Sequence, residues 1–125
     1  MKSVTVGWFE IPVHNMERAM KFYEEVFDCE LSRNKMGDLD MAWFPWDENG
    51  KGAGGSLVKH VEYYEPSDQG SLIYFSSEDV SMELGRVEEA GGKVLTQKEE
   101  IAPDIGFMGI FQDTEGNKIA VHSRQ

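Results

Sequence analysis

The chain runs VTVGWFEIPVHNMERAMKFYEEVF from Val4 to Phe27, and this stretch predicts a strand followed by a helix. Its first part alternates β-branched and aromatic residues as far as Ile11, a pattern typical of a half-buried strand. Asn15 then offers a helix N-cap. Behind it, apolar residues recur at three- and four-residue steps, which is the stripe of an amphipathic helix; they are Met16, Ala19, Met20, Tyr23, Val26 and Phe27.

Three short strands are predicted after this helix, over Glu30–Asn34, Met41–Trp46 and Gly55–Lys59. Asn49-Gly50 is expected to supply the positive φ of a tight hairpin turn between the second and third of them. The first half of the chain therefore has the element order βαβββ.

The same order is predicted a second time. Leu72–Ser76 has the pattern of a strand, Asp79 caps a helix, and Gly91 ends that helix. We therefore expect a single α+β domain over residues 1–125, built from two βαβββ repeats at about 1–62 and 70–125. Two unrelated halves with similar turn chemistry remain the alternative. The last three predicted strands are Lys93–Gln97, Phe107–Gln112 and Asn117–Ser123.

Composition excludes several classes of function. A chain of 125 residues with 40% hydrophobic residues suits one domain, and a net charge of -11 disfavours nucleic acid as a partner. The longest wholly apolar run, Met41–Trp46, is far shorter than the roughly 20 residues that span a membrane. Cys29 is the single cysteine and no signal-peptide pattern occurs at the N-terminus, so we expect a cytoplasmic protein without membrane attachment.

Two stretches of the sequence resemble the vicinal oxygen chelate superfamily, which includes glyoxalase I, the bleomycin and fosfomycin resistance proteins and extradiol dioxygenases. The first runs from Phe9 into the helix at Met16–Phe27, and the second is Asp113-Thr114-Glu115-Gly116-Asn117-Lys118-Ile119. Asp28 and Thr114 depart from the usual Gly and Pro of the family's two motifs. The resemblance implies two sheets that curl into an open cup, with the helices outside and a ligand inside.

Strand alternation indicates which residues would line such a cup. If Trp8 and Glu10 face inward, Phe9 and Ile11 pack against the helix. The inward set mixes polar and aromatic groups, which is typical of a binding site, whereas the helix-facing set is entirely apolar. The same alternation adds Ser56, Val58, Leu72, Tyr74, Ala120 and His122 to the inward set.

The resemblance also implies positions for a divalent metal, which family enzymes bind through His, Glu or Gln. These positions correspond here to Trp8, Leu72 and Ala120, and with a weaker anchor to Ser56. None of these side chains is a good metal ligand, so we predict no metal and no other cofactor. A displaced metal site built from Glu10, His122 and His60 is the alternative.

Three functional hypotheses follow. The first is a protein that binds a small, partly aromatic or cationic molecule in the cup, through Trp8 and Tyr74, with Glu10 and His122 orienting its polar groups. The second is a lyase or isomerase, related to lactoylglutathione lyase, with Glu10, His122 and Tyr74 as catalytic residues. The third is a regulatory module whose cup is filled by its own side chains, Trp8 included. The expected walls of the binding site are Ser56, Val58, Leu72 and Ala120.

Two further expectations concern association and the other tryptophans. Open sheet edges predict a homodimer. Trp43 and Trp46 are predicted on opposite faces of one strand, so only one of them is expected to line the cup.

Overall fold

The computed structural model describes residues 2–125 and confirms the α+β class with two βαβββ repeats. The elements are β1 (Trp8–Pro12), α1 (Met16–Phe27), β2 (Ser32–Met36), β3 (Leu39–Trp43), β4 (Gly54–Lys59), β5 (Ile73–Ser76), α2 (Val80–Ala90), β6 (Lys93–Ala102), β7 (Gly106–Gln112) and β8 (Lys118–Ser123).

Both helices begin and end where their capping residues allow. The Asn15 side chain accepts a hydrogen bond from the backbone N–H of Arg18, and the Asp79 side chain accepts one from that of Ser81. Asp28 and Gly91 end the helices in the left-handed conformation, with φ of 50° and 106°. The predicted caps at Asn15 and Asp79 are therefore confirmed.

Each repeat forms its own four-stranded mixed sheet, in the orders β1-β4-β3-β2 and β5-β8-β7-β6. The first and last strands of each repeat, β1 with β4 and β5 with β8, pair in parallel. Phe9 lies opposite Gly55 in the first sheet, and Ile73 lies opposite Ile119 in the second. Both partners of the second pair are 64 positions beyond those of the first (9 to 73 and 55 to 119), so the repeat extends to strand register.

The helices and the apolar sides of both sheets make one core. Ile11 and Leu57 of the first sheet and Ile119 and Val121 of the second are buried in it together with α1 and α2. The opposite, helix-free face of each sheet therefore lies away from this core. The two sheets remain separate, and the predicted cup is not closed within one chain.

The connection between β3 and β4 differs from the prediction. β3 ends at Trp43, not Trp46, and the residues up to Gly54 form a loop. Gly50 donates a backbone hydrogen bond of 2.8 Å to Asp47, but the positive φ of this loop is at Gly52 (92°). Asn49-Gly50 is thus part of a turn within the longer loop that connects β3 and β4.

The hairpin between β7 and β8 ties the two repeats together. The Glu115 carboxylate accepts hydrogen bonds from the backbone N–H groups of His14 (2.7 Å) and Asn15 (2.8 Å), and from Arg18 Nε (2.7 Å). Asp113 accepts a 2.6 Å bond from the buried hydroxyl of Tyr23. Two motif regions that the sequence singled out separately, the start of α1 and the last hairpin, are therefore one structural unit.

Across residues 2–125, neither helix combines the length and the apolar composition that a membrane span requires.

Candidate functional site

The helix-free face of the first sheet, which we call the N-terminal face, carries Trp8, Glu10, Met41, Trp43, Gly54, Ser56 and Val58. Its composition follows from register: Ser56 lies between Glu10 on β1 and Trp43 on β3, so these three side chains share one side of the sheet. The predicted alternation is therefore correct for this sheet.

The corresponding C-terminal face carries Leu72, Tyr74, Met108, Ile110, Ala120 and His122. Ala120 lies between Tyr74 and Ile110, and His122 lies opposite Met108. Leu72 precedes the first residue of β5 and is exposed.

All three tryptophans of the chain gather at one edge of the N-terminal face. The rings of Trp8 and Trp43 are 5.8 Å apart and nearly perpendicular, at 77°. A Cβ at Gly54 would lie 3.1 Å from the Trp46 ring and 3.4 Å from the Trp8 ring. The expectation that Trp43 and Trp46 cannot both lie on this side was wrong, because the strand ends at Trp43 and its alternation does not extend to Trp46.

Ser56 holds a hydroxyl group with no partner. Its Oγ is buried and makes no hydrogen bond with any described residue. Leaving a buried hydroxyl unpaired costs about 1–3 kcal/mol, so such a group calls for a physical explanation. Its position between Glu10 and Trp43 places it at the centre of the N-terminal face.

The Glu10 carboxylate is hydrogen-bonded by Tyr64, a residue that no sequence pattern indicated. The Tyr64 hydroxyl donates a 2.6 Å hydrogen bond to Glu10 Oε1, and this bond to a carboxylate raises the pKa of Tyr64. Tyr64 lies in an irregular connector between β4 and β5, where no periodicity in the sequence relates it to a face.

His122 is oriented by the backbone. Its Nε2 lies 2.7 Å from the carbonyl oxygen of Ile105. A carbonyl oxygen only accepts, so Nε2 donates this bond and Nδ1 is the ring nitrogen that it leaves unengaged. Among the described residues, no hydrogen bond joins Glu10, Tyr74 and His122, the catalytic residues of the second hypothesis: Glu10 is bonded to Tyr64 and His122 to the Ile105 carbonyl.

The predicted wall residues differ in accessibility. Ser56, Val58 and Ala120 are fully buried, whereas Trp8 and Tyr74 are 45% and 50% exposed. A molecule on these faces would therefore first meet the aromatic side chains and Leu72.

The residues at the family's metal positions do not fit a metal ion. The indole of Trp8 and the hydrocarbon side chains of Leu72 and Ala120 have no lone pair to donate, and the Ser56 hydroxyl is a poor ligand for a divalent ion. The described residues also contain no group of three or more His, Cys, Asp or Glu side chains arranged to hold one. Glu10, His122 and His60 thus do not assemble into the displaced site considered as an alternative.

We expect chelation to leave the protein unchanged. Treatment with EDTA should not shift Tm, and elemental analysis should find well below one equivalent of Zn, Ni, Mn or Fe per chain, because these positions lack ligands. One equivalent of metal that is lost in Glu10→Ala or His122→Ala would contradict this prediction.

Comparison with known families gives a match over most of the chain. The family model of the Glyoxalase/Bleomycin resistance protein/Dioxygenase superfamily matches residues 5–121. A "Glyoxylase-like domain-containing protein" from Didymella fabae is 28% identical over 95% of this chain and 93% of its own length.

Solved structures share the fold. The antibiotic-binding protein TnmS3 from Streptomyces sp. CB03234 aligns with a TM-score of 0.71 at 23% identity, over 100% of this chain and 99% of its own. Glyoxalase I from Zea mays aligns with a TM-score of 0.71 at 18% identity, over 98% of this chain. This chain spans only 48% of that maize protein.

Proposed function

The chain belongs to the Glyoxalase/Bleomycin resistance protein/Dioxygenase superfamily, and from that premise we propose that it binds a small organic molecule on its helix-free faces, without a metal at the family's ligand positions. The observation that carries this proposal is the half-exposed state of Trp8 and Tyr74, one on each face. Aromatic side chains that point away from the core provide large, rigid contact areas for a ligand. The similarity to an antibiotic-binding protein supports a binding role.

The unpaired hydroxyl of Ser56 supports the same proposal. Natural cores rarely retain a buried polar group without a partner. A ligand or ordered water that supplies the missing hydrogen bond would offset the cost, and this would explain a serine where alanine fits the fold at least as well.

Tryptophan fluorescence tests the proposal. The chain has 3 Trp residues, and all of them lie at one edge of the N-terminal face. A ligand found in a screen of small aromatic and amine compounds should therefore change the tryptophan emission. We expect Tyr74→Ala to weaken binding at least tenfold, or about 1.4 kcal/mol. Ser56→Ala should weaken binding without lowering Tm, because it removes an unsatisfied group.

Met82→Ala is the matched control, since Met82 is 48% exposed on α2 and lies on neither face. If no compound binds saturably, or if Met82→Ala weakens binding as much as Tyr74→Ala, the proposed function is wrong.

We further propose that a second copy of the chain completes the cup. In one chain the helix sides of both sheets pack into a shared core, and each helix-free face lies on the far side of its sheet from that core. β1 and β5 are edge strands, and the exposed Trp8 and Tyr74 lie on them. Pairing the N-terminal face of one chain with the C-terminal face of the other would cover both edges.

Light scattering checks this association. The chain mass is 14.2 kDa, and we expect twice this mass at micromolar concentrations. The acidic charge opposes association only weakly at physiological salt, where the Debye length is about 8 Å. A monomer mass at all micromolar concentrations would contradict the proposal that a second copy of the chain completes the cup.

A lyase or isomerase is the second candidate, because the tautomer of His122 leaves Nδ1 able to accept a proton. His122→Gln separates the two functions. A binding protein should keep most of its affinity in this variant, whereas an enzyme that uses His122 as a base should lose turnover while still binding its substrate.

A further inference from the structure

On the basis of the binding function proposed above, we infer the class of ligand: an organic cation, a protonated amine or a quaternary ammonium, held by Trp8, Trp43 and Trp46 with Glu10 as its counter-charge. Glu10 and Trp43 lie on either side of Ser56 on the N-terminal face, and Trp8 and Trp46 meet at Gly54.

The arrangement of the indole rings favours a compact cation over a flat neutral ring. A flat aromatic ligand is held best between parallel faces, but Trp8 and Trp43 are at 77° with their centroids 5.8 Å apart. At this angle the faces of the two rings point in different directions, and the faces, not the edges, attract a cation. A roughly spherical group such as an alkylammonium fits the corner between the two rings and gains from each π face that it touches.

Gly54 brings the third ring to this corner. A Cβ at this position would lie 3.1 Å from the Trp46 ring and 3.4 Å from the Trp8 ring. The distance to Trp46 is shorter than most contacts that a Cβ atom makes. The glycine therefore lets both rings approach the same point of β4. Trp46 is 61% exposed, and burying so large an apolar surface under a ligand is favourable.

Glu10, two residues from Trp8 on β1, is an acidic side chain outside the ion pairs of the described residues. The ion pairs among the described residues use Arg18, Arg33 and Lys98, and Glu10 takes part in none of them. The Oε1 atom of Glu10 accepts a hydrogen bond from the neutral hydroxyl of Tyr64. The net charge of -11 on the chain as a whole also favours a cationic over an anionic ligand.

The test uses choline and its neutral isostere 3,3-dimethyl-1-butanol, which has carbon in place of the charged nitrogen. Both are titrated into the full chain at the same salt concentration while tryptophan emission is followed. We expect choline, or the more apolar benzyltrimethylammonium, to bind saturably, and the neutral isostere to bind at least tenfold more weakly.

Variants are checked by calorimetry, since replacing tryptophan alters the fluorescence itself. Glu10→Gln keeps an acceptor for Tyr64 and removes the charge, so it should weaken choline binding about fivefold or more and leave the isostere unaffected. Trp46→Leu and Trp43→Phe should each weaken cation binding several-fold, and Tm measured for each variant shows whether it is folded. Met82→Ala again serves as the control.

The outcomes separate this inference from the function on which it rests. If the cations and the neutral isostere bind equally, or if only neutral aromatic compounds bind, the cation inference is overturned and the binding function stands. If none of these probes binds, the cation inference is overturned; if no compound of the wider screen binds either, the binding function is overturned as well. Selective cation binding that Glu10→Gln weakens supports both.

Discussion

Replacing Glu115 by Gln is expected to lower the free energy of unfolding at pH 7 by about 3 kcal/mol, the equivalent of a pKa difference of roughly two units between the folded and unfolded chain. The Glu115 side chain is fully buried. Burial alone would raise its pKa, but the hydrogen bonds from Arg18, Asn15, Thr114 and His14 outweigh burial and hold the pKa at about 2, against 4.5 for the free group. The charged form is therefore strongly favoured by folding.

The sign of this effect fixes its pH dependence. A carboxyl whose pKa is lowered by folding stabilises the protein above its unfolded pKa, and this contribution is lost as pH falls through the folded value. The difference in unfolding free energy between the wild type and Glu115→Gln should therefore be largest above pH 4.5 and shrink toward pH 2. The pKa of Asp113 is raised, chiefly by burial, but it is common to both proteins and largely cancels in the difference.

Urea unfolding from pH 2 to pH 7 measures this difference. Glu25→Gln is the control, because Glu25 is exposed on α1 and should change the unfolding free energy by less than about 0.5 kcal/mol. A difference that is independent of pH would show that the Glu115 charge contributes nothing.

Truncation of Phe22 is expected to cost about 3–5 kcal/mol of unfolding free energy, whereas Trp8→Ala should cost clearly less although it removes a larger side chain. Phe22 is 0% exposed and packs against Tyr23 and Phe111, with ring centroids at 5.0 and 5.8 Å. Trp8 is 45% exposed and packs edge-on against Trp43. Phe22→Ala therefore leaves a cavity in the shared core, and Trp8→Ala opens a surface to water.

This pair of variants decides whether Trp8 fills the cup or binds a ligand. Chemical unfolding of both proteins under the same conditions gives the comparison. Equal losses would make Trp8 a structural side chain and support the hypothesis of a filled cup. A small loss with a large drop in ligand affinity would identify it as part of the binding site.

Local sequence determined where the helices begin and which face of its sheet each strand residue occupies. Asn15 and Asp79 cap the helices as predicted, because capping depends on a side chain and backbone groups within a few residues. Alternation placed Trp8, Glu10, Ser56 and Tyr74 on the helix-free faces, because successive residues of a strand point to opposite sides whatever the sheet packs against. At the positions that the family resemblance implies for a metal, the sequence likewise shows Trp8, Leu72 and Ala120, none of which is a metal ligand.

Tertiary structure decided how these pieces meet. Alternation specifies the side of a sheet but not how two sheets meet, and the packing of α1 against α2 brings the helix sides of both sheets into one core. Trp46 joins Trp8 because the strand ends three residues before it, and Tyr64 reaches Glu10 from a connector without periodicity. Contacts between residues distant in sequence depend on loop paths and on the packing of the whole chain, which no local pattern contains.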